Sequence, residues 1–181
     1  SYAGFAQQEK QPHVKTVAGE LRQALRTVLR RDVELTCAGR TDAGVHARAQ
    51  YVSLPFGAEE FEQRTSQRLL RSLGAVLPPD IRVYELYRAP AGFSARFDAR
   101  ARRYRYHLCS GPVGPLFCAN WSWWIRTAQP HALDAKAMNE AARCLIGEHD
   151  FKSFCKAQSA VDKPTCRYVM SAFFEPEVVL G

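Results

Sequence analysis

Two short stretches, Val33-Glu34-Leu35-Thr36-Cys37 and Gln50-Tyr51-Val52-Ser53-Leu54, alternate apolar with polar side chains at the period of a strand. The segment between them, from Cys37 to Ala47, carries a guanidinium (Arg40), a hydroxyl (Thr41), a carboxylate (Asp42) and an imidazole (His46) within seven residues. Gly39 and Gly44 lie in the same loop and leave its backbone free to turn sharply. A chain with this pattern must bring two strands together at the root of a crowded polar loop. Two readings of Asp42 stand on the residues alone. It is either a turn residue that satisfies neighbouring backbone N–H groups, or the functional group for which the loop exists.

Upstream, Thr16 is placed to cap a helix in which Val17, Leu21, Ala24, Leu25, Val28 and Leu29 recur on one face. Downstream, 59–77 has helical spacing through Leu69, Leu70, Leu73, Val76 and Leu77, and Pro78-Pro79 stops it. Arg64, Arg68 and Arg71 form a stripe that reads as a solvated face, with Glu60 placed to pair with Arg64. Residues 81–87 alternate again as a strand. Gly111 to Pro115 is rich in glycine and proline and marks a boundary, giving an N-terminal half over 1–110 and a C-terminal half over 111–181. In the second half, 121–126 and 165–174 read as strands, and the tryptophans at 121, 123 and 124 as core or dimer contacts. Asp134 caps a helix whose apolar positions include Met138, Ala141, Ala142, Leu145 and Ile146, with Gly147 as its terminator. His149 and Asp150 read as capping and packing residues.

Charge becomes informative where it clusters. The net charge is +7, and from Arg82 to Tyr106 seven arginines (82, 88, 96, 100, 102, 103, 105) face only Glu85 and Asp98. Phe93, Phe97, Tyr104 and Tyr106 are interleaved with them. Guanidinium forks beside flat rings suit a folded RNA, phosphate by phosphate and base by base. A strand edge kept basic to discourage aggregation accounts for the charge but not for the rings. Six scattered cysteines without C-x-x-C spacing fit reduced thiols better than a disulfide framework or a zinc site. No run of residues approaches a membrane span, and no secretory signal opens the chain.

Gly39-Arg40-Thr41-Asp42-Ala43-Gly44-Val45-His46-Ala47 resembles the signature of the tRNA pseudouridine synthase A family. Weaker resemblances follow in the family's order: Tyr2-Ala3-Gly4-Phe5 to an aromatic-x-Gly-aromatic element, Phe93-Ser94-Ala95-Arg96-Phe97 to a segment that touches tRNA, Arg-x-Tyr-x-Tyr ending at Tyr106, and Gly147 to Phe154. The resemblance implies an α+β fold, with a mixed, mainly antiparallel sheet backed by helices and two related halves around a basic cleft. It implies a uridine-to-pseudouridine isomerase acting on the 3′ side of the tRNA anticodon arm. Asp42 would be the nucleophile, Tyr104 the contact to the target base, and Arg40 a group reaching phosphate or filling the space of the flipped base. Phe93, Ser94, Ala95, Arg96, Phe97, Arg103 and Arg105 would bind RNA. The reaction needs no metal or other cofactor, and no motif for one is present. A cytoplasmic homodimer with tRNA as its partner, and no membrane association, is the implied setting.

Against the family pattern the chain starts inside the aromatic-x-Gly-aromatic element, without the strand that precedes it. It stops at Gly181, before a segment carrying a further active-site arginine. It is therefore expected to be a family member truncated at both ends, with an incomplete C-terminal half. Two rival readings are a non-catalytic RNA-binding module (or inactive fragment) and a hydrolase. The hydrolase lacks an identifiable second carboxylate. The binding module does not explain an aspartate beside Arg40, because a carboxylate repels phosphate.

Overall fold

The computed structural model describes residues 2–7, 13–57, 60, 65–130, 133–155 and 164–177. The chain divides into two units, Ser1–Arg105 and Tyr106–Gly181. The architecture is α+β: the described residues form three α-helices with full bounds and three two-stranded ladders, of which two are antiparallel and one parallel. One continuous sheet was the expectation. Among the described residues the strands instead pair two by two.

In the first unit, α1 (Val17–Leu29) begins where Thr16 accepts a hydrogen bond from the Gly19 N–H, and it ends at Arg30 in the left-handed region, φ 58°. Helix α2 (Ser66–Val76) starts from a Thr65 cap and stops ahead of Pro78. The single helix expected over 59–77 is interrupted, because Thr65 at ψ 144° is not helical, and 61–64, Arg64 among them, lie outside the described residues. Leu25, Leu29, Leu69, Leu73, Leu77, Val33 and Ile81 bury one apolar cluster between the two helices. Arg31 clamps Glu60 through two parallel N–H···O bonds of 2.8 Å and reaches the Pro55 carbonyl as well. The Arg68 and Arg71 side chains stand in solvent, as a solvated stripe should.

Strands β1 (Thr36–Cys37) and β2 (Val52–Ser53) pair antiparallel, Thr36 opposite Ser53. They are shorter than the alternation predicts, and the register gives the reason. Two positions ahead of Thr36, at Glu34, the partner would be Pro55, which has no N–H to donate. Residues 81–87 form no ladder. Ile81, Val83 and Leu86 turn toward the helical core, so the alternation holds only through Val83 and changes face before Leu86.

In the second unit, β3 (His107–Gly111) runs parallel to β4 (Ser122–Arg126). The strand predicted from Arg103 begins only at His107. Its partner is exhausted there, because the chain ahead of Ser122 turns back with the Trp121 and Ser122 N–H groups on the Cys118 carbonyl. Trp121, Trp123 and Trp124 are not core. All three are exposed, and Trp124 donates its indole N–H to the Gly111 carbonyl at 3.1 Å. Helix α3 (Ala135–Ala142) takes its cap from Asp134, which accepts the Lys136 and Ala137 N–H groups. It gives way to a 3₁₀ turn (Arg143–Leu145) earlier than its apolar spacing suggested. Strand β5 (Gly147–Asp150) pairs antiparallel with β6 (Cys166–Val169). Asp150 accepts the Lys152 N–H and the Thr165 hydroxyl, contacts that hold its carboxyl below the usual range. His149 bonds the Ile146 carbonyl at 3.0 Å. The His149 and Lys152 bonds are local, closing the chain on either side of β5. No helix of the described residues is long and apolar enough to cross a membrane.

Leu73, 1% exposed, carries the contact between α1 and α2. Leu73→Ala is expected to cost about 2–5 kcal/mol of stability, whereas Val76→Ala, on the exposed side of the same helix, should stay within about 0.5 kcal/mol. Urea midpoints of the two variants check this.

Candidate nucleic-acid-modifying site

The loop between β1 and β2 is polar and exposed at its tip but built tightly at its base. Asp42-Ala43-Gly44-Val45 is a β-turn closed by the Val45 N–H on the Asp42 carbonyl at 3.2 Å. Gly44 sits at φ +80°, the conformation that the third position of a type II turn demands. The Asp42 carboxylate is exposed and pairs with no described residue, as does the Arg40 guanidinium. Asp42 thus accepts none of the neighbouring N–H groups through its side chain. The turn is made by backbone, and the carboxylate is left over.

The base of the loop is held from several directions. Gly4, at φ +99°, lies against Thr41–Ala43 so closely that a Cβ would stand 2.7 Å from the Thr41 carbonyl oxygen. The adjacent Phe5 N–H donates to that same oxygen at 3.0 Å. Gln50 donates its side-chain amide to the Gly39 carbonyl at 2.6 Å, and the Ala38 N–H meets the Tyr51 carbonyl at 2.9 Å. Arg102 donates to the Ala38 carbonyl. The Gly4 segment is itself secured, since the Tyr2 hydroxyl donates to Asp80 at 2.7 Å. Partial burial and the Asp80 carboxylate push the Tyr2 phenol up to about 12, and accepting that hydroxyl holds the Asp80 carboxyl below its ordinary range.

The arginine- and aromatic-rich stretch joins the same cluster. Residues 94–98 form one compact turn: the Asp98 N–H meets the Ser94 carbonyl, and the Asp98 carboxylate accepts the Ser94 N–H at 2.7 Å. Ala95 is buried and donates its N–H to the Ser53 hydroxyl of β2, so this turn docks beside the loop's own strands. Phe93 and Phe97 remain exposed, with the Arg96 guanidinium 5.3 Å from the Phe97 ring centre. Tyr104 is 80% exposed and lies outside any strand. It follows Arg102 by two residues, a reach of at most about 7 Å of chain, so its backbone stays near the loop's root. Arg103 and Arg105 are exposed too. Asp42, Arg40, Tyr104 and the 93–97 segment therefore lie in one unit, with 93–97 docked on β2 through Ala95 and Tyr104 two residues along the chain from Arg102.

Gly4, Gln50, Ser53, Asp98 and Arg102 were not singled out by sequence reasoning as supports of this site. Gly4 had a signal in its aromatic-x-Gly-aromatic context. The others act through partners distant in the chain, for which the sequence holds no local sign. No three His, Cys, Asp or Glu side chains among the described residues are placed to hold a metal ion.

Among curated proteins the chain is similar to several tRNA pseudouridine synthases A. That of Caldicellulosiruptor bescii is 35% identical over 178 residues, covering 97% of this chain and 69% of its own length. Those of Streptomyces avermitilis and Streptomyces griseus are each 47% identical, over 147 and 164 residues, or 78% and 86% of this chain. The chain spans about half the length of these Streptomyces relatives, 50% and 55%. No protein-family model matches it.

Two outcomes follow from how the loop is held. Gly4→Ala should cost about 1–3 kcal/mol through overpacking and left-handed strain, with lost hydrogen-exchange protection at the Phe5 amide. In alkali, the Tyr2 phenol should titrate near 12 rather than 10.0, read as the absorbance difference between wild type and Tyr2→Phe. Because that pKa is raised on folding, its stabilisation is complete below about 10 and fades as pH climbs through about 12. Asp80→Asn should bring the midpoint down.

Proposed function

The chain belongs to the tRNA pseudouridine synthase A family, and on that premise we propose that it isomerises uridine to pseudouridine on the 3′ side of the tRNA anticodon arm, with Asp42 as its reactive carboxylate. The observation that carries this reading is the Asp42 side chain, exposed and unpaired among the described residues, on a turn whose backbone is fixed at its base. A carboxylate that only shaped the loop would be consumed by the loop. This one is available.

The reaction breaks the N1–C1′ bond, turns the uracil and joins C5 to C1′; N1 gains a proton and C5 loses one. The base must first leave the stack. Asp42 then attacks C1′, steadies a cationic sugar or removes a sugar proton on a glycal route, each a task for a carboxylate. Arg40 reaches the phosphate backbone or fills the space left by the flipped base. Tyr104 offers an exposed ring on which the extruded uracil stacks, a contact of about 1–3 kcal/mol. Arg103 and Arg105, with Phe93 to Phe97, take the surrounding tRNA by charge and stacking. No metal or other cofactor is required. The same reading places the protein in the cytoplasm with its substrate, as a homodimer.

Loss of the C5 proton gives a direct assay. Tritium release from tRNA labelled at uracil C5 is expected with this chain and should fall at least about 10³-fold in Asp42→Asn, with tRNA affinity retained. Full-length protein that binds tRNA but releases no tritium would establish the binding-module reading instead.

A further inference from the structure

The geometry points to Arg102 as a positioning residue for the Asp42 loop, acting on the loop's backbone rather than on nucleic acid. This inference rests on the isomerase reading above for its kinetic consequence, but not for its structural one.

Arg102 sits in the most basic stretch of the chain, where a phosphate contact is the ordinary expectation. Its guanidinium goes elsewhere. Nη2 donates to the Ala38 carbonyl, 64 residues away. The side chain lies across Gly39, where an added Cβ would stand 3.3 Å from Nε and 3.7 Å from Cδ. The next carbonyl, that of Gly39, is taken by Gln50, and the Ala38 N–H by Tyr51. Three consecutive peptide groups at the loop's root, those flanking Ala38 and Gly39, are thus each tied to a separate position, and Asp42 follows three residues after Gly39. Its neighbours differ: Arg96 lies over the Phe97 ring, while Arg100 and Arg103 meet no described residue. A guanidinium already committed to a backbone carbonyl, with its stem packed on a residue that lacks a side chain, fixes a loop. It does not reach for a ligand.

The consequence is a split between binding and turnover. A residue that grips phosphate lowers affinity and the salt slope of binding together. One that places a reacting group lowers the rate at saturating substrate, because misplacement of about 1 Å costs up to about 10²-fold. Arg102→Gln, Arg102→Lys and, for comparison, Arg103→Gln are to be measured for tRNA affinity against salt, single-turnover tritium release at saturating tRNA, and amide exchange at Ala38 and Val45. For Arg102→Gln the expected result is an affinity within about twofold with an unchanged salt slope, a release rate lower by about tenfold or more, and faster exchange at both amides. Arg102→Lys, which keeps one donor for the carbonyl, should recover most of that rate and protection, whereas Arg103→Gln should weaken binding and reduce the salt slope by about one. A lower salt slope for Arg102→Gln with its saturated rate intact, or unchanged exchange at Ala38 and Val45, overturns the assignment. If full-length protein releases no tritium, the isomerase reading fails, and the exchange measurement still decides the role of Arg102.

Discussion

The close approach of the Gly4 segment to Thr41–Ala43 ties the helical core to the polar loop, and the described parts of the first unit depend on it. One face of the segment backs the loop, through the Phe5 N–H and the space where Gly4 has no side chain. Its carbonyls serve α1: those of Gly4 and Phe5 accept the Val17 and Ala18 N–H groups, two donors that the first turn of a helix cannot satisfy within itself. Thr16 satisfies a third. The same few residues therefore complete a helix and brace a loop. Tyr2, bonded to Asp80 just beyond α2, closes the circuit back to the core. A β1–β2 ladder of two residue pairs is little to hold a functional loop, and these contacts supply what the ladder does not.

The basic stretch achieves order without joining a sheet. Asp98, one of two carboxylates between Arg82 and Tyr106, is used internally to close the 94–98 turn. Arg96, Arg100 and Arg103 are left with no described carboxylate to neutralise them. Positive charge on a surface whose own anion is spent is charge available to a polyanion. The phenylalanines of this stretch are left uncovered by the same folding, because the turn docks through buried Ala95 and not through its rings.

Much of this could be read from residues, and the rest could not, for reasons particular to each element. Thr16, Asp134 and Pro78 announced helix ends because capping and proline chemistry are local. The apolar face of α1 was plain from its period. Strand partners were not, since pairing is a contract between distant segments; 81–87 found no ladder and lost its alternation after Val83, and 103–106 lost its place where β4 ran out. The exposed tryptophans of the second unit show the limit of reading burial from residue type. At the site, the loop residues and the basic cluster were legible as composition. Their support was not: nothing beside Arg102 in the sequence points to Ala38, and nothing beside Ser53 points to Ala95.

Gly44 and Gly4 look alike in the sequence, but the structure distinguishes what each position selects. Around Gly44 nothing stands within 4 Å of where a side chain would begin, so room is not what keeps larger residues out. Only the backbone's sense of rotation does. A mirror-image alanine would settle at that corner without strain, while its natural counterpart would fight the turn. The tip of the loop thus discriminates by handedness alone, whereas its base discriminates by size as well.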